Sequence, residues 1–222
     1  MRAFCANGAK VAFVDIIQAE SQALAAELGA LFLPCDVTDT QALVQAIEMT
    51  RVTLGPISVL VNNAANDDRH AIDDVTPDYW DGSMNINLRP QFFAAQAVRA
   101  QMRDLGGGSI INFSSISWRH GADAMSVYAT AKAGTLGLTR ALGRGFGSDN
   151  IRVNSVEPGA VITDRQRRLW YKTEADVQGM VERQAIRRVL LGEDVARLVV
   201  FLGSDDSAMI TKQSIIVDAG IS

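Results

Sequence analysis

At 222 residues, 48% of them hydrophobic and 21% charged, the chain is long enough to bury a substantial core as a single domain spanning residues 1–222. A formal net charge of −4 argues against a nucleic-acid or anionic-membrane surface, and no apolar run is long enough to span a bilayer or, at the start MRAFCANGAK, to form a signal core. Cys5 and Cys35 are too few for a disulfide framework and read as free thiols, so the expected setting is a reducing one, the cytoplasm.

In chain order, short β-branched runs alternate with longer amphipathic stretches. Lys10–Asp15 (KVAFVD) precedes a helical pattern over Ala19–Leu28, and Leu31–Cys35 (LFLPC) precedes one over Thr40–Leu54. Ile57–Asn62 (ISVLVN) leads into a single long helix over Asp78–Leu105, and Ser109–Phe113 (SIINF) into another over Met125–Phe146. Ile151–Val156 (IRVNSV), a helix over Glu193–Leu202 and Ser214–Asp218 (SIIVD) complete the series. Several runs are apolar at consecutive positions, as expected of strands covered on both faces. The alternation predicts an α/β fold with a doubly wound, Rossmann-like parallel sheet.

Ligands of such sheets lie outside the carboxyl ends of the strands. The residues at those ends are Asp15, Asp36, Asn63-Ala64, Ser114-Ser115 and Pro158-Gly159. They form a polar, small-residue set, although turns and helix N-caps use the same residue types.

The stretch SVYATAK places Tyr128 four residues before Lys132. On a helix the two share a face, which by itself means little more than a weak local pair. The chemistry available is greater. A free tyrosine, with a pKa of about 10, is a poor base at neutral pH. A nearby ammonium favours the phenolate, so the pair is expected to lower the Tyr128 pKa and make it a proton acceptor.

CDVTD at Cys35–Asp39, NNAAN at Asn62–Asn66, NIN at Asn85–Asn87, SS at Ser114-Ser115, YATAK at Tyr128–Lys132, PGAVIT at Pro158–Thr163 and VDAG at Val217–Gly220 occur in one order. In that order they resemble the classical short-chain dehydrogenase/reductase family over nearly the whole chain. The resemblance implies a catalytic set of Asn87, Ser115, Tyr128 and Lys132. Tyr128 takes the substrate proton, Lys132 holds the nicotinamide ribose, Ser115 orients the substrate oxygen and Asn87 steadies a water in the proton path. It also implies cofactor contacts from Asp36, Val37, Asn63, Ala64, Pro158, Gly159, Val161 and Thr163, besides Tyr128 and Lys132. Asp15, at the end of the first run, suits an adenosine ribose and repels a 2′-phosphate, and no arginine follows it. The expected cofactor is therefore NAD. Gly106–Gly108 precedes a strand and Gly143, Gly145 and Gly147 close a helix, so neither cluster is a dinucleotide loop. Neither His70 nor His120 has a second cluster of ligands beside it, and no metal is expected.

The family opens with a strand and a glycine-rich turn, whereas Met1–Gly8 resembles the second half of the first helix. By comparison with a βα unit roughly 20–30 residues are absent. The expectation is a late-assigned start or a truncated chain, with NAD affinity and stability both poor. Lys10–Asp15 and Ile57–Asn62 are then expected to lack a common neighbour.

NDDRH at Asn66–His70, YWD at Tyr79–Asp81, NLR at Asn87–Arg89, SISW at Ser115–Trp118 and RQ at Arg165-Gln166 resemble the aldose 1-dehydrogenases, D-xylose dehydrogenases and their L-sugar relatives among them. That implies oxidation of the anomeric hydroxyl of an aldose to a lactone. Asn66, Arg69, Ser115, Trp118, Tyr128 and Arg165 are the expected substrate contacts. Trp118 and Trp170 are candidate aromatic plates, and Asp67 and His70 further polar candidates. Two alternatives stay open: a reductase or dehydrogenase of another alcohol or 3-oxoacyl substrate, and a non-catalytic module that keeps the fold. By resemblance the chain is expected to form a homotetramer through its two long helices.

Overall fold

The computed structural model describes residues 1–222. All six expected strands form: β1 (Ala12–Asp15), β2 (Leu31–Pro34), β3 (Val59–Asn62), β4 (Gly108–Phe113), β5 (Ile151–Pro158) and β6 (Ser214–Val217). Every pairing is parallel. The strands fall into two sheets, a pair β1-β2 and a quartet in the order β3-β4-β5-β6, with no hydrogen-bonded pairing between β1 and β3. Burial follows from this arrangement. Ile110, Ile111, Val153 and Val156 of β4 and β5 are fully buried, whereas β3, with one unpaired edge, is half-buried throughout.

Helices cover both faces. They are α1 (Arg2–Ala6), α2 (Gln18–Leu28), α3 (Thr40–Leu54), α4 (Pro77–Asn87), α5 (Arg89–Asp104), α6 (Ser126–Phe146), α7 (Asp164–Leu169), α8 (Glu174–Glu182) and α9 (Gly192–Gly203). The larger core joins α3, α5 and α6 to β4 and β5 through Leu43, Ile47, Val98, Met102, Ile110, Leu142, Phe146 and Val153. The opposite face packs Val195, Val199 and Leu202 of α9 on Ile111 and Val156. None of the helices is long and apolar enough to cross a membrane.

Local chemistry sets the ends of these helices. Asp39 caps α3, its carboxylate accepting from the Gln41 and Ala42 amides at 2.9 and 3.0 Å. The expected single helix over Asp78–Leu105 is in fact two, broken at Leu88 (φ −132°, ψ −51°). Pro90 is the cause: it has no N–H to donate to the Ile86 carbonyl one turn back, and its ring crowds that carbonyl, so it sits in the first turn of a new helix. The break leaves Asn87 at the very end of α4. The short helices α7 and α8 were not anticipated. Thr163 caps α7 and a Thr173–Asp176 capping box opens α8.

Candidate active site

The carboxyl ends of β4 and β5 and the first turns of α6 meet at one edge of the quartet. Lys132 is 1% exposed, and its Nζ donates to the Phe113 carbonyl at 2.9 Å and lies 5.4 Å from the centre of the Tyr128 ring. In return, the Ser114 hydroxyl donates to the Lys132 carbonyl at 2.7 Å. Ser115 opens the turn Ile116–Trp118, where its Oγ accepts from the Ser117 amide at 3.1 Å.

The electrostatics run opposite to the expected lowering of the Tyr128 pKa. Burial pushes Tyr128 up to about 12, with a hydrogen bond from Ser115 pulling against it, the Asp67 charge adding to it and Arg165 opposing it. Burial likewise brings Lys132 down to about 8, against the Asp67 charge. The reason is desolvation: removing water disfavours the charged form of each group, and at Tyr128 it outweighs the Ser115 hydrogen bond and the Arg165 charge.

Asn87 is fully buried and its amide is fully engaged by protein. Its Oδ1 accepts from the Asn66 amide at 2.9 Å, and its Nδ2 donates to the carbonyls of Asn66 and Ser83, each at 3.0 Å. The Asn87 amide thereby braces the loop after β3.

The expected substrate contacts divide. Arg165 on α7 is paired with Asp67 and donates to Asn66 Oδ1 at 3.0 Å, while Gln166 donates to Asp67 at 2.7 Å. Burial works to raise the Asp67 pKa, but these hydrogen bonds and the Arg165 charge more than offset it. Arg69 stacks on Trp170, its guanidinium carbon 4.1 Å from the ring centre. Trp118, a candidate aromatic plate, donates its indole N–H to Glu157 at 2.8 Å and is stacked by Arg119 at 4.5 Å. His70 bridges the Tyr79 and Ser126 hydroxyls, each at 2.9 Å, and so ties α4 to the start of α6.

On the cofactor side, Asp15, Asp36, Asn63 and Ala64 are exposed along the same strand ends. Asp15 Oδ1 accepts from the Ile17 amide and Asp36 Oδ1 from the Thr38 amide, both at 2.9 Å, which holds each carboxylate in a tight turn. Val37 packs against the larger core. Gly159 donates to the Val217 carbonyl at 2.9 Å, and a Cβ there would meet Asp218 at 2.9 Å, so only glycine lets these strand ends approach. Val161 and the exposed Thr163 continue that edge. Acidic groups at the β1 and β2 ends and Lys132 at the β4 end suit a ligand that is adenosine-like on one side and nicotinamide-like on the other. Gly108 starts β4 and Gly143 and Gly145 lie within α6, so the two glycine clusters are not phosphate loops.

Of these residues, Glu157 is absent from the sequence-based site, and Ser114 and Gln166 enter it only as members of the SS and RQ motifs. A lone carboxylate in the otherwise uncharged end of IRVNSVEP was the available signal for Glu157.

A family profile described as enoyl-(acyl carrier protein) reductase matches residues 1–222. A Rhizobium meliloti protein bearing the name "Probable galactose dehydrogenase GalD" is 44% identical, over 100% of this chain and 88% of its own. The D-xylose 1-dehydrogenase of Caulobacter vibrioides is 45% identical, over 98% of this chain and 87% of its own. Among solved structures, a blue fluorescent protein from a metagenomic library, in complex with NADPH, is 34% identical. It superposes with a TM-score of 0.90 over 100% of this chain and 91% of its own.

Proposed function

The chain belongs to the short-chain dehydrogenase/reductase family, an oxidoreductase of the nicotinamide-dependent kind, and from that premise we propose that it oxidises the C1 hydroxyl of an aldose, passing hydride to NAD and releasing a lactone. The observation that carries the proposal is the meeting of Ser115, Tyr128 and Lys132 at one strand edge, beside the polar wall of Asn66, Asp67, Arg165 and Gln166.

A bound nicotinamide supplies the hydride acceptor. Ser115 offers its hydroxyl to the substrate oxygen and keeps it near Tyr128. Tyr128 takes the proton from the C1 hydroxyl while C1 gives up its hydrogen with the bonding pair, and the oxygen becomes the lactone carbonyl. Arg165 supplies positive charge that favours the phenolate Tyr128 must become, and Lys132, 5.4 Å from the ring centre, stands where it would hold the nicotinamide ribose. Asn87 holds Asn66, and through it the loop that faces the sugar.

Asp15 supports NAD over NADP: its exposed carboxylate would repel a 2′-phosphate, and the residues after it, Ile16 and Ile17, carry no compensating charge. The galactose- and xylose-named relatives support an aldose. Trp80 on α4 and Phe92 on α5 are exposed apolar residues consistent with assembly as a homotetramer through these helices and α6.

The test is reduced-cofactor absorbance with D-xylose and D-galactose, each with NAD and with NADP, and identification of the product by chromatography. NAD-linked lactone formation that falls about a thousandfold in Tyr128→Phe is expected. Turnover of a 3-oxoacyl thioester or polyol, with none of an aldose, would replace the substrate half. Turnover with NADP alone would replace the cofactor half.

A further inference from the structure

Glu157 is fully buried near the end of β5, and nothing in the chemistry above uses it. Its carboxylate accepts from Trp118 Nε1 at 2.8 Å, from Arg119 Nε and Nη2 at 2.9 Å each, and from the Ser214 hydroxyl of β6. Burial works to raise its pKa, and these hydrogen bonds and the Arg119 charge overcome that, keeping it ionised. A buried ion pair adds little net stability over a well-packed apolar substitute. Its partners therefore matter for where they sit.

Two of them, Trp118 and Arg119, belong to the turn that Ser115 opens, and Arg119 also stacks on the Trp118 ring. The other partner, Ser214, belongs to the sheet and is further fixed by the Ser155 hydroxyl at 2.8 Å. Ser115 itself has an amide partner only within its own turn, the Ser117 N–H. The turn as a body is thus fastened to β5 and β6 by one carboxylate.

We propose that Glu157 is a positioning residue: by gripping Trp118 and Arg119 it locks the turn Ser115–Arg119 against the sheet, and so sets where the Ser115 hydroxyl stands relative to Tyr128. The proposal rests on the reading of Ser115 and Tyr128 as a working pair. Pre-organisation of this kind matters because a displacement of about 1 Å at a reacting group can cost about a hundredfold in rate.

The experiment compares Glu157→Gln, Arg119→Met and the double variant Arg119→Met/Glu157→Leu, which leaves no uncompensated buried charge. Amide exchange at Ser117 reports directly on the turn, because that N–H is the one bonded to Ser115. In both single variants Ser117 exchange is expected to rise at least about tenfold, while amides of β4 and α6 stay within about twofold. In aldose oxidation, kcat is expected to fall about tenfold to a hundredfold with the cofactor Kd unchanged. The double variant is expected to recover the thermal midpoint but not kcat. Unchanged Ser117 exchange in the single variants overturns the proposal, as does recovery of kcat together with the midpoint. If the wild-type chain oxidises no aldose, the functional reading fails separately, and the exchange comparison alone decides this one.

Discussion

Ser114 and Lys132 clasp each other across the junction of β4 and α6. The Ser114 hydroxyl donates to the Lys132 carbonyl at 2.7 Å, and Lys132 Nζ donates to the carbonyl of Phe113, the residue before Ser114, at 2.9 Å. Both residues are buried, so neither bond has water to replace it. The strand end thereby sets the height of the ammonium beneath Tyr128.

Ser114→Ala breaks one half of that clasp without adding bulk. It is expected to cost about 1–2 kcal/mol, seen as a lowered urea midpoint at unchanged m-value. A cost below about 0.3 kcal/mol would mean that the Lys132 carbonyl finds another donor.

Lys132 makes stability depend on pH with a definite sign. Its pKa falls from an ordinary 10.5 to about 8 on folding. Between those values the unfolded chain binds more protons than the folded one, so this group's contribution rises with pH from about 8 to 10.5. Tyr128 acts in the other direction but only higher, its pKa raised from 10 to about 12. Lys132→Met is expected to remove an alkaline gain on the order of 3 kcal/mol, read as the difference in urea stability between pH 7.5 and about 10.

Asp67 and Arg165 act on Tyr128 with opposite signs, the carboxylate raising its pKa and the guanidinium lowering it. Asp67→Asn is therefore expected to move the rising limb of the kcat/KM–pH profile to lower pH, and Arg165→Met to higher pH. Shifts of the same sign in both variants would show that loop displacement, not charge, governs the limb.

Asn87→Ala strips both backbone groups of Asn66 of their partner inside a buried site. The expected loss is about 2–3 kcal/mol in urea unfolding. Asn87→Asp, which keeps an acceptor for the Asn66 amide but no donor for its carbonyl, is expected to recover no more than half of that loss.

How much of this was legible beforehand depends on how far each feature reaches along the chain. The six strands were visible because β-branched apolar runs carry their own period, and Tyr128 and Lys132 were visible because one helical turn separates them. The break at Leu88 is equally local, written in Pro90 two residues on, but the apolar pattern running through Asp78–Leu105 masks it. The remaining features needed the folded chain. Glu157 meets Trp118 and Arg119 from 39 and 38 residues away, and Arg165 meets Asn66 from 99. The sign of the Tyr128 shift was decided there too. Sequence spacing places Lys132 one turn away, but only packing decides how much water is removed and brings Ser115, Asp67 and Arg165 to the ring, and here desolvation is the largest of these effects. By itself, then, the sequence determined the elements and which residues share a strand end or a helix face. Tertiary structure decided which polar groups are already engaged, because that depends on contacts between segments that sequence proximity does not encode.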